Sequence, residues 1–137
     1  MRLRRFAVAF AVAALVFLPL DALWLTIMGP ILYRPSIGPL LAARPDLLAA
    51  ALFYALYLCG VVAFAVRPNS PLQSPGASLA YGCLFGLVAY GTYDLTNQAT
   101  LRGWPWTVSL ADLACGSLET AVATLAARFA LWHRRHA

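Results

Sequence analysis

Residues 89–101 read AYGTYDLTNQATL. The run is apolar enough at its start to cross a membrane, and it acquires Asp94, Thr96 and Asn97 before it has finished. If the helix stops at Tyr93, DLTN is a cap lying among headgroups and the chain is a plain bundle. If the helix continues, a carboxyl enters the hydrocarbon layer and the bundle carries an interior site. The rest of the sequence favours the second reading.

The 137 residues are 62% hydrophobic and 11% charged, with a mean hydropathy of +0.74. Globular chains carry about a quarter of their residues as charges, so this composition belongs in a bilayer. Four apolar runs, 6–28, 47–66, 79–101 and 107–131, each approach the roughly 20 residues that span a hydrocarbon core. MRLRR before the first run imitates a signal peptide, but the run is long for one and lacks a clear A-x-A site, so it reads as a retained helix. GPILYRPSIGPL and ARPD, then RPNSPLQSPG, then RGWPW break the chain between runs. These short breaks imply antiparallel neighbours. The expected fold is therefore all-α, an integral membrane antiparallel four-helix bundle forming a single domain over 1–137.

The net charge of +5 comes from ten Arg and no Lys against five acids. Arg2, Arg4, Arg5, Arg67, Arg134 and Arg135 fall on one side, with Arg128 near it, and Arg34, Arg44 and Arg102 fall on the other. The positive-inside rule then places both termini in the cytoplasm, in a multi-pass inner-membrane protein. Trp24, Tyr33, Trp104 and Trp106 gather toward the outer interface, where amphipathic rings settle. No basic stripe interleaved with aromatics exists, so nucleic acid is not an expected partner. Cys59, Cys83 and Cys115 are isolated, and His133 and His136 lie in the basic tail. No metal and no cofactor is expected.

Depth and phase single out a polar constellation. Asp21 and Asp94 each lie 15 residues into their runs, about 22 Å from the cytoplasmic edge at 1.5 Å per residue. Asp112 enters from the opposite side and lies about 8 Å below the outer edge. On a core of about 30 Å the three carboxyls share one layer. Gly82, Gly86, Tyr90, Asp94 and Asn97 form one stripe of the third helix, its GxxxG half suited to close packing. Asp112, Gly116 and Glu119 form a second stripe at i, i+4 and i+7, with Glu119 about 18 Å deep. Pro19 loosens the first helix beside Asp21, which has Trp24 at i+3. Acids at such depth face an interior or a watered cavity, and pair or change their protonation. The outer arginines are the available counter-ions.

At LDALWLT (20–26), YRPSIG (33–38), LFGLVAYGTYDLTNQATLRGWPW (84–106) and the D-x-x-x-G of Asp112 to Gly116, the chain resembles a bacterial family of membrane proteins, domain of unknown function 2177. Cys115 stands where that last motif carries a Trp. The resemblance covers nearly the whole length. It implies a small four-helix inner-membrane protein without assigned activity, set alongside lipid-modifying enzymes. The motif residues it implies are Asp21, Trp24, Tyr33, Arg34, Tyr93, Asp94, Thr96, Asn97, Trp106 and Asp112.

Together these readings nominate Asp21, Trp24, Tyr33, Arg34, Tyr90, Tyr93, Asp94, Asn97, Trp106, Asp112 and Glu119 as ligand-binding residues in the outer half of the bilayer. Binding or transport of a small polar, cationic or lipid-derived ligand is the first expectation. An accessory subunit of a membrane system, possibly lipid-modifying, is the second. A lipid-acting enzyme with a carboxylate acid/base pair is third, because no nucleophile with its base, metal set or cofactor fingerprint is present. The expected partners are membrane lipid and, to cover polar faces, a second copy of the chain or another membrane protein.

Overall fold

The computed structural model describes residues 2–68 and 74–136, with side chains through His133. Residues 69–73 of the RPNSPLQSPG break, and the side chains of Arg134 and Arg135, lie outside the described residues. Every element among the described residues is helical.

The first helix, α1 (Arg2–Met28), does not end where the sequence suggests. A wide π-helical turn over Gly29–Tyr33, a short α2 (Arg34–Ile37) and a 3-10 turn over Gly38–Leu40 follow without a gap, giving a helical run Arg2–Leu40. The expected break at GPILYRPSIGPL is thus corrected. Each of its prolines is the second residue of a segment, at the point where the helix changes type. Each proline restarts the helix in a new register instead of stopping it.

The next helix, α3 (Leu47–Gly60), begins at Asp46, whose carboxylate accepts from the N–H groups of Leu48 (2.9 Å) and Ala49 (3.0 Å). It widens into a π-helical segment, Val61–Val66, and ends at Arg67 in the left-handed conformation, φ 51°. Then α4 (Pro75–Thr100) runs unbroken through Asp94 and Asn97, so DLTN is helix and not a cap. Finally α5 spans Trp106–His136.

Among the described residues three stretches are long and apolar enough to cross a membrane: Arg2–Leu40, Leu47–Val66 and Trp106–His133. At 26 residues α4 has the length, but its glycines, Ser, Thr, Asp, Asn and Gln make it less apolar than the other three. Its hydroxyls are folded back onto its own carbonyls: Thr92 donates to Val88 (2.7 Å), Thr96 to Thr92 (2.5 Å) and Thr100 to Thr96 (2.7 Å). Such back-bonding leaves exposed threonines with no donor to offer a solvent.

The molecule is inverted relative to a water-soluble domain. Asp21, Ser78, Asp94, Ser109, Glu119, Thr120, Thr124 and Arg128 are buried, while Leu15, Leu52, Leu56, Phe64, Leu84, Leu110 and Leu118 are exposed. Water would reverse this distribution. The helices are joined by small residues and polar contacts, as association in lipid requires. A Cβ on Gly86 would lie 2.6 Å from the Gly116 carbonyl oxygen and 2.8 Å from Ser117 Cα. Gly82 meets Ala121 and Thr124 in the same way, so α4 and α5 run in opposite directions along that seam. At one end, buried Arg128 donates to the carbonyls of Val66 (3.0 Å) and Arg67 (3.2 Å), satisfying the frayed end of the α3 segment. At the other, Ile37, Trp104 and Val108 form a small cluster with Leu32 and Tyr33.

Candidate functional site: an acidic aromatic cavity

On α1 the buried residues are Ala9, Ala13, Phe17 and Asp21, one every four positions. Asp21 is therefore the last rung of the packing stripe and faces the interior. Trp24 and Leu25 follow at i+3 and i+4 on the same side. Tyr33 arrives from the wide turn; in a straight α-helix it would stand about 13.5 Å along the axis from Trp24. The redirected chain lets Trp24 Nε1 donate to Tyr33 Oη at 2.7 Å.

These groups border a cavity of about 480 Å³. Besides α1 and its turn, α3 lends Phe53, Tyr54 and Tyr57, and α4 lends Ala89, Tyr90 and Tyr93. From α5 come Asp112, Cys115, Gly116 and Glu119, a helical stripe at i, i+3, i+4 and i+7. Gly116 is needed there because the Tyr90 ring lies where a Cβ would be.

Each of the three acids accepts from a hydroxyl or thiol donor. Tyr54 Oη donates to Asp21 Oδ2, and Tyr33 Oη donates to Asp112 Oδ1. Cys115 Sγ donates to Glu119 Oε1 at 3.2 Å. Asp21 Oδ1 and Glu119 Oε2 have no hydrogen-bond partner among the described residues. Tyr57 Oη is bonded to Thr120 Oγ1 at 2.6 Å, and its ring packs on Phe17, Phe53 and Tyr90 at centroid distances of 5.1, 5.4 and 6.0 Å. Among the described residues no Arg, Lys or His borders the cavity. Leu25, Phe53 and Tyr93 are on its border and also exposed, by 47%, 47% and 58%, so the cavity reaches the outside between apolar side chains.

A second cavity, about 310 Å³, shares Leu25, Tyr33, Tyr93 and Asp112 with the first and adds Arg34, Ile37, Trp104 and Val108. Trp104 is buried, donates from Nε1 to Ser109 Oγ (3.0 Å) and meets the Tyr93 ring edge-on at 5.9 Å.

Of the residues nominated from sequence, Asp21, Trp24, Tyr33, Tyr90, Tyr93, Asp112 and Glu119 come together around the larger cavity, and Arg34 around its neighbour. Three do not. Asp94 is fully buried, yet it borders neither cavity, and neither of its carboxyl oxygens has a hydrogen-bond partner among the described residues. Asn97 is half-buried and also borders neither. Trp106 is 58% exposed at the start of α5, and Trp104 takes the interior position instead. Sequence reasoning missed Tyr54, Tyr57 and Cys115. The tyrosines had left a signal, since FYALY places two hydroxyls at i and i+3 in an otherwise aliphatic helix; Cys115 had left none.

The inverted surface and the three long apolar helices define an all-helical membrane protein. A family model described as "Predicted membrane protein (DUF2177)" matches residues 6–129, and the chain belongs to that family. No curated protein and no solved structure matches it.

Proposed function

We propose that this chain is a four-helix antiparallel bundle of the inner membrane that binds, or carries, a small polar, cationic or lipid-derived ligand in the acidic aromatic cavity. The observation that carries this reading is a cavity of about 480 Å³ bordered by three carboxyls and no basic side chain, open between exposed apolar residues. Burying a carboxylate without compensation costs several kcal/mol, and a fold does not hold three for packing alone when apolar residues would pack as well. An opening framed by Leu25, Phe53 and Tyr93 suits a ligand that arrives from the hydrocarbon side.

The fourth span in this reading is α4. Its threonines bond to its own backbone, and Leu84, Leu87, Val88 and Leu95 are exposed on its outer surface, so lipid meets methyl and methylene groups there. Asp21, Asp112 and Glu119 hold the polar end of the ligand, and Trp24, Tyr33, Tyr54 and Tyr90 shape the space around it.

The test is native mass spectrometry of the full chain released from mild detergent. Wild type is expected to retain small-molecule or lipid adducts, and Asp21→Asn/Asp112→Asn is expected to lose most of them while keeping its helical circular dichroism. Equal retention by the folded double variant overturns the reading.

A further inference from the structure

We propose that the two adjoining cavities together receive a zwitterionic, amine-bearing phospholipid headgroup, its ammonium among the carboxyls and its phosphate beside Arg34. The inference rests on the larger cavity being a ligand site and goes on to name the ligand class.

Charge is the first ground. Asp21, Asp112 and Glu119 border the larger cavity without a basic residue among its walls. Asp21 and Glu119 are 8% and 6% exposed, and each keeps one carboxyl oxygen without a hydrogen-bond partner among the described residues. Tyr54 and Cys115 reach one oxygen each of Asp21 and Glu119, so the other oxygen of each is open to a donor brought by a ligand.

Size and shape are the second. Among the described residues no group of His, Cys, Asp and Glu is gathered tightly enough to hold a metal ion. The carboxyls are spaced around a volume suited to an organic cation. Between them stand the faces and edges of Trp24, Tyr33, Tyr54, Tyr57, Tyr90 and Tyr93. Aromatic walls with nearby carboxylates recognise alkylammonium groups through cation–π attraction, which strengthens on desolvation. Tyr90 Oη has no hydrogen-bond partner among the described residues and adds a donor or acceptor to the box.

The third ground is the neighbouring cavity. Among the described residues Arg34 is the single basic residue bordering either space, and Asp112, Tyr33, Leu25 and Tyr93 form the shared wall. A negative chamber beside a guanidinium is the complement of an ammonium joined to a phosphate. Arg recognises phosphate by two parallel N–H donors, which a simple amine would leave unused. The exposed apolar rim matches acyl chains, which a water-soluble headgroup would leave unused.

The experiment titrates purified full-length protein in dodecylmaltoside with four probes: dihexanoyl phosphatidylethanolamine, dihexanoyl phosphatidylglycerol, dodecylamine and glycerophosphoethanolamine. The ethanolamine lipid is expected to bind about tenfold more tightly than the glycerol lipid. Arg34→Gln, at an exposed side chain that the fold does not need, is expected to weaken the ethanolamine lipid about tenfold and leave dodecylamine unchanged. Equal affinity for the two lipids, or an ethanolamine lipid indifferent to Arg34→Gln, overturns this inference and leaves the cavity a general lipid site. Glycerophosphoethanolamine binding as tightly as the lipid overturns the membrane source. Binding by none of the four overturns this inference alone, since the proposed function also admits small polar ligands and is decided by adduct retention in native mass spectrometry.

Discussion

Tyr33 uses its hydroxyl twice, accepting from Trp24 Nε1 and donating to Asp112 Oδ1. Through that one atom the turn after α1, α1 itself and α5 are joined at the wall of the cavity. Asp94 is the opposite case: equally acidic, fully buried and, among the described residues, without a partner for either oxygen. Its spacing from Tyr90 made it look like a member of the same layer, and the spacing is real. What spacing omits is how far the cavity extends along α4: it reaches Tyr90 and Tyr93, and Asp94 on the same stripe as Tyr90 is enclosed in the packing. A buried carboxyl without partners costs stability, which removing its charge recovers. Asp94→Asn is therefore expected to raise stability by about 1 kcal/mol or to leave it unchanged in thermal unfolding of the detergent-solubilised protein. A clear fall would mean that Asp94 holds a group such as a bound cation.

At the scale of elements, α4 and α5 are set by glycine. Because the Gly116 carbonyl and Ser117 Cα stand within 3 Å of where a Gly86 side chain would begin, the two backbones touch with nothing between them. Gly86→Ala is expected to cost about 1–3 kcal/mol through overpacking, measured by denaturant titration in mixed micelles. Gly76→Ala on the same helix, where a Cβ meets nothing within 4 Å, is the control and is expected to change little. The GxxxG spacing was legible in the sequence, and so was the continuation of the helix through DLTN. The helical run through GPILYRPSIGPL was not, because three prolines and two glycines ordinarily mark a loop. Each proline stands second in its own turn, where the winding changes, so the missing N–H falls at a change of helix type and not inside a regular turn. The consequence reaches the cavity, since Tyr33 and Arg34 belong to that segment.

For the whole molecule, polar groups lie inside and leucines outside, and the polar groups are unevenly placed. Arg128 is tied to Val66 and Arg67 at one end of α5, and the Trp104 cluster with Tyr33 lies toward the other. In the proposed orientation the arginine-rich end, with both termini, faces the cytoplasm and the cavity lies toward the outer leaflet. Fusion of a fluorescent protein to the C-terminus is expected to fluoresce, and fusion of a periplasm-dependent phosphatase there to stay inactive. The reverse pair of results would invert the bundle and move the cavity to the cytoplasmic half.

By itself the sequence determined that this is an all-helical membrane protein of its family, because hydropathy and helical period are properties of single segments. The same periodicity placed Asp21, Asp112 and Glu119 on inward faces of their helices. Which of the inward groups meet was decided only in the tertiary structure. Tyr54 and Tyr57 from α3 complete the cavity, Trp104 replaces Trp106, and Asp94 and Asn97 stay out of it. The physical reason is that helix rotation and helix redirection are set by contacts between segments: glycine against backbone on α4 and α5, and proline-led turns after α1. AYGTYDLTNQATL contains a wall of the cavity in Tyr90 and Tyr93 and a packed, unpartnered acid in Asp94, and no property of those thirteen residues alone separates the two.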